Sequence, residues 1–424
     1  MIRYDKFRFI LALAFLGIQC NSDKGLGKSA CPDINETQYL AFQLFVSGTT
    51  EPSDDYQGLG PFISQAQMED FFSTVRSKIG PSNAPCRRPA IMIGPIALDF
   101  SSADIANLIE QSFELAKRYD MAVGFHIDDG MFWANRKDLW QNPENIEWTD
   151  WNGSPNTSRF VDWVRNKLAP EMCFNAPAVK AAVKEFISNI SISIKSNYDQ
   201  LVTSNREYLY AGTIIGWETS LDTDRDTQLP SGYHALKNKG FGQGNLPVDI
   251  DEERVKILQE YIQWMAEPLI EAGLPVGKTY AHIAFLSRKI YDHAVSINPD
   301  FAKKSYNELN NFSPPEVAVG LNYTPGFSTY PQDGLFDQIH TLVQNSHWAS
   351  SEGTNLVLGM PPVSSGYNME SYLARQFNHG CRLVNLFAFH VRGDAFTDAL
   401  NDASEGPVAI EAYKKFLNGT PLKE

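Results

Sequence analysis

The chain of 424 residues is 43% hydrophobic and 12% aromatic, enough to bury a large core and unlike a disordered, fibrous or disulfide-dominated protein. Its formal net charge of -14 comes from 50 acidic against 36 basic residues, with no basic run long enough to follow a phosphate backbone or an anionic membrane. Nucleic-acid binding is therefore not expected.

At the N-terminus Arg3, Lys6 and Arg8 precede an apolar stretch, Phe9 to Ile18, too short to span a membrane and of the kind that directs export. Cys20 closes it. The polar, glycine-containing tract Asn21 to Ser29 follows, a pattern similar to a bacterial lipoprotein signal with a tether beyond the lipidated cysteine. Residues 1–20 are expected to be the signal, 21–37 the tether and 38–424 the catalytic body, held in the periplasm or on the outer membrane of a bacterium by a lipid anchor at Cys20.

From about residue 38 short apolar runs alternate with amphipathic helical windows, the pattern of successive βα units around a parallel sheet. Strands are predicted at Tyr39 to Val46, Ala90 to Leu98, Met121 to Ile127, Leu209 to Glu218, Gly277 to Phe285, Glu316 to Tyr323, His347 to Glu352 and Arg382 to His390. Helices are predicted at Gln65 to Ile79, Ala103 to Tyr119, Ala178 to Asn197, Asp251 to Ala272, Leu335 to Asn345, Met369 to His379 and Val408 to Leu417, where apolar residues recur at three and four. Ser102 is the expected cap of the second, and the acids from Asp249 to Glu253 suit the dipole at the start of the fourth. The order of elements predicts an α/β fold, a single (β/α)8 barrel.

Two connections, Asp128 to Asn175 and Thr219 to Val248, are long and follow strands three and four, at the face where such barrels gather their chemistry. The first holds Phe132, Trp133, Trp140, Trp148, Trp151, Phe160 and Trp163, candidate platforms for the flat apolar faces of sugars. In the second, Tyr233 and His234, with Gly240 to Gly244 behind them, form a candidate flap. Cys31, Cys86 and Cys381 each precede a strand and would lie near the barrel's N-terminal rim, so that Cys31 could pair with either neighbour; Cys173 is the fourth cysteine after Cys20. No cysteine or histidine spacing suggests a metal site, and the dinucleotide, P-loop and nucleophile-elbow motifs are absent.

Glu218 ends strand four and Glu352 ends strand seven. Retaining glycoside hydrolysis needs two carboxyl groups about 5 to 5.5 Å apart, one protonated to assist departure and one ionised to attack the anomeric carbon. Glu218 is the candidate acid/base, with Trp217 as a dry wall beside it, and Glu352 the candidate nucleophile. His126, Asp128 and Asp129 form the densest polar cluster at a strand end, with Arg136 soon after, and are candidates for gripping sugar hydroxyls. Tyr280 and His282 on strand five, Asn322 and Tyr323 at the end of strand six, Trp348 on strand seven, and His390 and Arg392 closing strand eight complete the candidate site, with Trp133, Tyr233 and His234 from the loops.

On these two glutamates the chain resembles the clan of retaining β-glycosidases with a (β/α)8 barrel, whose acid/base Glu ends strand four and whose nucleophile Glu ends strand seven; β-galactosidase-like and β-mannosidase-like members are most similar. Where many members carry Asn before the acid/base, this chain has Trp217. The resemblance implies a glycosidase acting on an oligosaccharide or glycan without a cofactor. It also implies that Tyr323 bonds the nucleophile and that His390 or Arg392 holds it ionised. Two alternatives stand beside it: a barrel hydrolase in which Asp128 or Asp129 works with Glu218, and a non-catalytic glycan-binding lipoprotein.

Overall fold

The structure, a computed structural model, describes residues 31–46, 63–96, 101–157, 159–160, 168–300, 311–344, 346–355, 367–389 and 406–424. Eight parallel strands, β1 Gln38–Leu44, β2 Arg87–Ile96, β3 Ala122–Ile127, β4 Tyr210–Ile215, β5 Thr279–Ala281, β6 Gly326–Ser328, β7 Trp348–Gly353 and β8 Cys381–Phe389, run in the order β5-β4-β3-β2-β1-β8-β7-β6. The remaining seam closes through bridges Tyr280 to Thr324 and Ile283 to Phe327. Thr324 N–H donates to Thr279 O at 2.7 Å and Ser328 N–H to Ile283 O at 2.8 Å. The sheet thus becomes a nearly closed (β/α)8 barrel, the fold expected from the sequence.

A main helix follows each strand, α1 Gln65–Ile79, α2 Ser102–Tyr119, α3 Pro177–Thr203, α4 Ile250–Glu271, α5 Arg288–Ile297, α6 Leu335–Val343, α7 Met369–Phe377 and α8 Gly406–Leu417, and the loops after β3 and β4 add the short helices Asp129–Asn135, Lys137–Trp140 and Tyr233–Asn238. Local chemistry sets their starts. Ser64 and Gln67 form a reciprocal capping box on α1, Ser101 rather than Ser102 caps α2, and Asp249 accepts from the N–H groups of Asp251 and Glu252 at the head of α4. Strand residues alternate between two cores. Leu40, Phe42, Ile91, Ile93, Val123 and Phe125 face the helices, while Tyr39, Ala41, Ala90, Met92, Ala122, Ala211, Ile214, Tyr280, Ala349 and Leu383 fill the barrel, small side chains meeting large ones.

Strand six departs from expectation. The run from Glu316 is a 3-10 turn, Pro315–Ala318, and the strand is the three-residue Gly326–Ser328 further on. Pro314 and Pro315 stand just ahead of the expected strand and open the turn, which packs on α4, where the Gln259 side-chain amide donates to the carbonyls of Glu316 and Val319 at 2.9 Å each. Helix α5 has no counterpart among the predicted helices. At the N-terminal rim Cys31 is disulfide-bonded to Cys86, whereas Cys381 is a buried thiol. The segment proposed as signal and tether up to residue 30 lies outside the described residues.

Candidate active site

Both glutamates arrive at the C-terminal end of the barrel by different routes. Glu352 belongs to β7 itself and pairs across to Ser328 of β6; Glu218 follows β4 on a sharp turn. Its φ of 49° places a non-glycine residue in the left-handed region, a conformation that costs of order 1–3 kcal/mol and concentrates at functional sites. The turn is held from both sides. Trp217 N–H donates to Asp129 Oδ1 at 2.6 Å, and Thr219 N–H to His282 O at 3.2 Å.

A carboxylate oxygen of Glu218, one of Glu352 and a ring nitrogen of His282 all lie within 4.8 Å of one another. Glu352 is 6% exposed; Tyr330 Oη donates to its Oε1 at 2.6 Å, and its Oε2 accepts no hydrogen bond among the described residues, with His282 Nε2 4.0 Å away. Glu218 is half-buried, with Ser328 Oγ 2.7 Å from its Oε1. Burial, and after it the charge of Glu218, pushes the Glu352 carboxyl well above the usual carboxylate range. The same three atoms have the chemistry of a cation's donor set, but His282 Nε2 is already engaged by Ser328 Oγ at 2.9 Å.

Beneath the pair, the Gly216 carbonyl faces two buried rings, His126 Nε2 at 3.0 Å and His282 Nδ1 at 3.3 Å, which meet edge to face with centroids 5.2 Å apart. Burial lowers His126 to about 4 and holds His282 well below the usual histidine range, so both are neutral across physiological pH. Asp128 is buried close enough to add to the upward push on Glu352. Asp129 is also buried and raised by that burial. Its Oδ1 is engaged by the Trp217 N–H.

The structure brings Glu218, Glu352, His126, Asp128, Asp129, Trp217 and His282 together and sends other candidates elsewhere. Trp133 is fully buried in the core with its Nε1–H on Pro170 O, and Trp348 is likewise buried with its Nε1–H on His379 O, so neither offers a face to a ligand. Tyr280 fills the barrel interior. Arg136 pairs with Asp138 at the surface. Because strand six begins later than expected, Tyr323 bonds Val317 O instead of the nucleophile candidate, and Asn322 sits in the connection before β6. His234 is stacked on Trp148 at 4.1 Å, and Tyr233 meets Trp151 edge-on at 5.1 Å. His390, Arg392 and Trp163 lie outside the described residues, as does the Phe160 side chain.

Ser328 and Tyr330 are the residues that sequence reasoning missed. A three-residue strand gives no periodicity to read, and a signal against the earlier run was the pair of prolines just before it. The loops after β3 and β4 lock together: Arg159 bridges Glu171 at 3.2 Å and Asp222 at 3.1 Å, and Asn156 donates to Asp222 O and Ser231 Oγ. Phe132 belongs to the core, and among the described aromatics of the first loop Trp140 and Trp151 pack against that core as well.

No family model and no curated relative matches the chain. Solved structures with a similar chain path include a broad-specificity endoglucanase from Bacteroides salanitronis (12% identity, 94% of this chain and 99% of that one, TM-score 0.46). The catalytic domain of a beta-amylase from Paenibacillus polymyxa is similar at 9% identity, over 92% of this chain and 99% of that one, with a TM-score of 0.49. A glycoside hydrolase family 5 enzyme from Prevotella bryantii is similar at 10% identity, over 91% and 97%, with a TM-score of 0.41.

Proposed function

We propose that this protein is a glycoside hydrolase that cleaves a β-linked hexoside with retention of configuration, Glu352 acting as nucleophile and Glu218 as acid/base. The observation that carries this is the approach of carboxylate oxygens from β7 and the β4 turn to within 4.8 Å. That spacing suits covalent, retaining chemistry, in which the carboxyls stand about 5–5.5 Å apart, and not the about 6.5–9.5 Å that an inverting pair leaves for water. A Glu352 oxygen attacks the anomeric carbon as the glycosidic C–O bond breaks, and Glu218 passes its proton to the departing oxygen. Glu218 then takes a proton from water, whose oxygen displaces Glu352 and frees the sugar. Tyr330, donating to Glu352, favours its ionised form. Asp129 is a weaker catalytic candidate because its Oδ1 already holds the Trp217 backbone. Export with a lipid anchor at Cys20 belongs to the same proposal, and the Cys31–Cys86 bond is in keeping with an oxidising compartment.

Nitrophenyl β-glycosides assayed against the wild type, Glu352→Gln and Glu218→Ala test the roles. Glu352→Gln should be inactive, and Glu218→Ala should lose about 10²–10⁴-fold on substrates that need acid assistance. Added azide should rescue Glu218→Ala with a β-glycosyl azide as product. Full activity of Glu352→Gln would refute the mechanism.

A further inference from the structure

Around Glu218 the hydrogen bonds set the direction in which a proton is shared with Ser328, and we infer that Ser328 is the positioning residue that keeps a proton on Glu218 by passing on the demand of His282. This rests on the glycosidase mechanism proposed above.

The argument is one of counting protons. A carbonyl oxygen only accepts, so His282 Nδ1, 3.3 Å from Gly216 O, carries a hydrogen, as does His126 Nε2 on the same oxygen at 3.0 Å. His282 is buried and neutral, so its Nε2 has a lone pair and must accept. Its partner is Ser328 Oγ at 2.9 Å. A serine hydroxyl has one hydrogen, and that hydrogen is now spent. The remaining contact of Ser328 Oγ, 2.7 Å to Glu218 Oε1, is then a hydrogen bond only if the carboxyl supplies the proton. The opposite orientation, a hydrogen on His282 Nε2 and a serine donating to a carboxylate, leaves two lone pairs facing each other between Nδ1 and Gly216 O.

The other titratable groups facing the site point the same way. The charges of Glu218 and of Asp128 after β3 both push the Glu352 carboxyl on β7 upward, a repulsion that a proton on Glu218 relieves. Tyr330, after β6, gives its hydrogen to Glu352. Asp129 is held by the Trp217 N–H, and the two histidines are neutral. After Glu218 has given its proton to the leaving oxygen, its carboxylate faces a serine lone pair, and this repulsion drives it to take a proton from the incoming water. Ser328 touches no reacting atom; it acts through Glu218.

The test compares kcat/KM against pH for the wild type, Ser328→Ala and Ser328→Thr, with a 2,4-dinitrophenyl glycoside and an alkyl glycoside of the same sugar. In Ser328→Ala the alkaline limb should move down by about one pH unit, since the acid has lost the acceptor that favours its protonated form. Alkyl glycoside turnover should fall at least about tenfold more than that of the activated substrate, and Ser328→Thr should restore both. Should Ser328→Ala fail to fold, as judged by its thermal melt, Ser328→Cys keeps the shape, weakens both hydrogen bonds and carries the same expectations. An alkaline limb that stays in place, or equal losses on both substrates, would overturn the relay while leaving the glycosidase intact. Absence of hydrolysis by the wild type would remove both. Nitrogen-15 shifts of His282 add a readout independent of turnover: a hydrogen on Nδ1 is expected, and one on Nε2 overturns the inference.

Discussion

Gly130 shows how one residue decides the setting of Glu218. A Cβ at this position would stand 2.0 Å from Cε3 of the Trp217 ring and 2.6 Å from Cζ3, and an indole braced against its own backbone bond to Asp129 has little freedom to yield. Alanine would raise helix propensity in Asp129–Asn135 by about 1 kcal/mol, but overpacking costs about 1–3 kcal/mol, so the clash wins. Gly130→Ala is expected to shift Trp217 and the adjoining Glu218 and to lower kcat/KM about tenfold or more, the scale at which small misplacements are felt. A cycle with Trp217→Leu checks the cause: in that background Gly130→Ala should cost little, and an undiminished loss would show that Trp217 is not what it strikes. At this scale the sequence was informative where strand ends carry polar groups, since Glu218, His126 and Asp128 follow apolar runs and Glu352 follows the mixed run Trp348 to Ser351. It was silent on Ser328 and Tyr330, whose roles depend on which residues β5 and β7 place opposite them.

Long elements were legible and short ones were not, for a physical reason. Helix α1 matched its predicted bounds because five buried residues, Met68, Phe71, Phe72, Val75 and Ile79, keep the helical period between a serine cap and Gly80. Strand β6 has only Gly326, Phe327 and Ser328, and its glycine is there for closeness: a Cβ would meet Ala281 O at 2.0 Å and Ser351 Oγ at 2.3 Å. The apolar side chains of the run before it pack as a turn on α4, so a stretch rich in valine resembled a strand without being one. The choice left open for Cys31 was settled by proximity, since Gln38 N–H bonds Cys86 O at 2.8 Å and the chain enters β1 beside β2. The Cys31–Cys86 bond spans a sequence separation of 55, for which chain-entropy arguments give about 4 kcal/mol, less in practice. Replacing both by serine should lower the unfolding free energy by about 2–4 kcal/mol in urea titration. The bond sits at the rim opposite the carboxylates, so kcat/KM should stay unchanged; a large loss of activity with an unchanged melt would contradict that separation of ends.

Across the whole molecule the barrel axis is a gradient of polarity, and its base holds an unexpected charge. From the C-terminal mouth the interior passes from Glu218 and Glu352, through Asn385 donating to Gln43 at 2.6 Å, to the apolar layer of Met92, Ile214 and Leu383, and then to Lys278. Lys278 Nζ donates to Tyr39 Oη at 2.9 Å and to Tyr210 O at 2.5 Å, and burial lowers it to about 7 from an ordinary value of 10.5. Between those values the unfolded chain binds a proton that the folded one does not, so stability rises with pH through the window and is lost as pH falls from 10.5 to about 7. Below it both states are protonated and the cost of burying the ammonium is paid in full. The slope is about 1.4 kcal/mol per pH unit, or about 5 kcal/mol over the whole interval. Lys278→Met removes the titration while keeping the length of the side chain. The difference in unfolding free energy between wild type and variant, read from urea titrations, should be flat below pH 7 and should move in favour of the wild type by about 2–3 kcal/mol between pH 7 and 9. Subtracting the variant cancels every other group that titrates in that range. A difference that stays constant to pH 9 would mean that Lys278 keeps its proton inside the barrel, with the hydroxyl of Tyr39 and the carbonyl of Tyr210 compensating for the water it has lost.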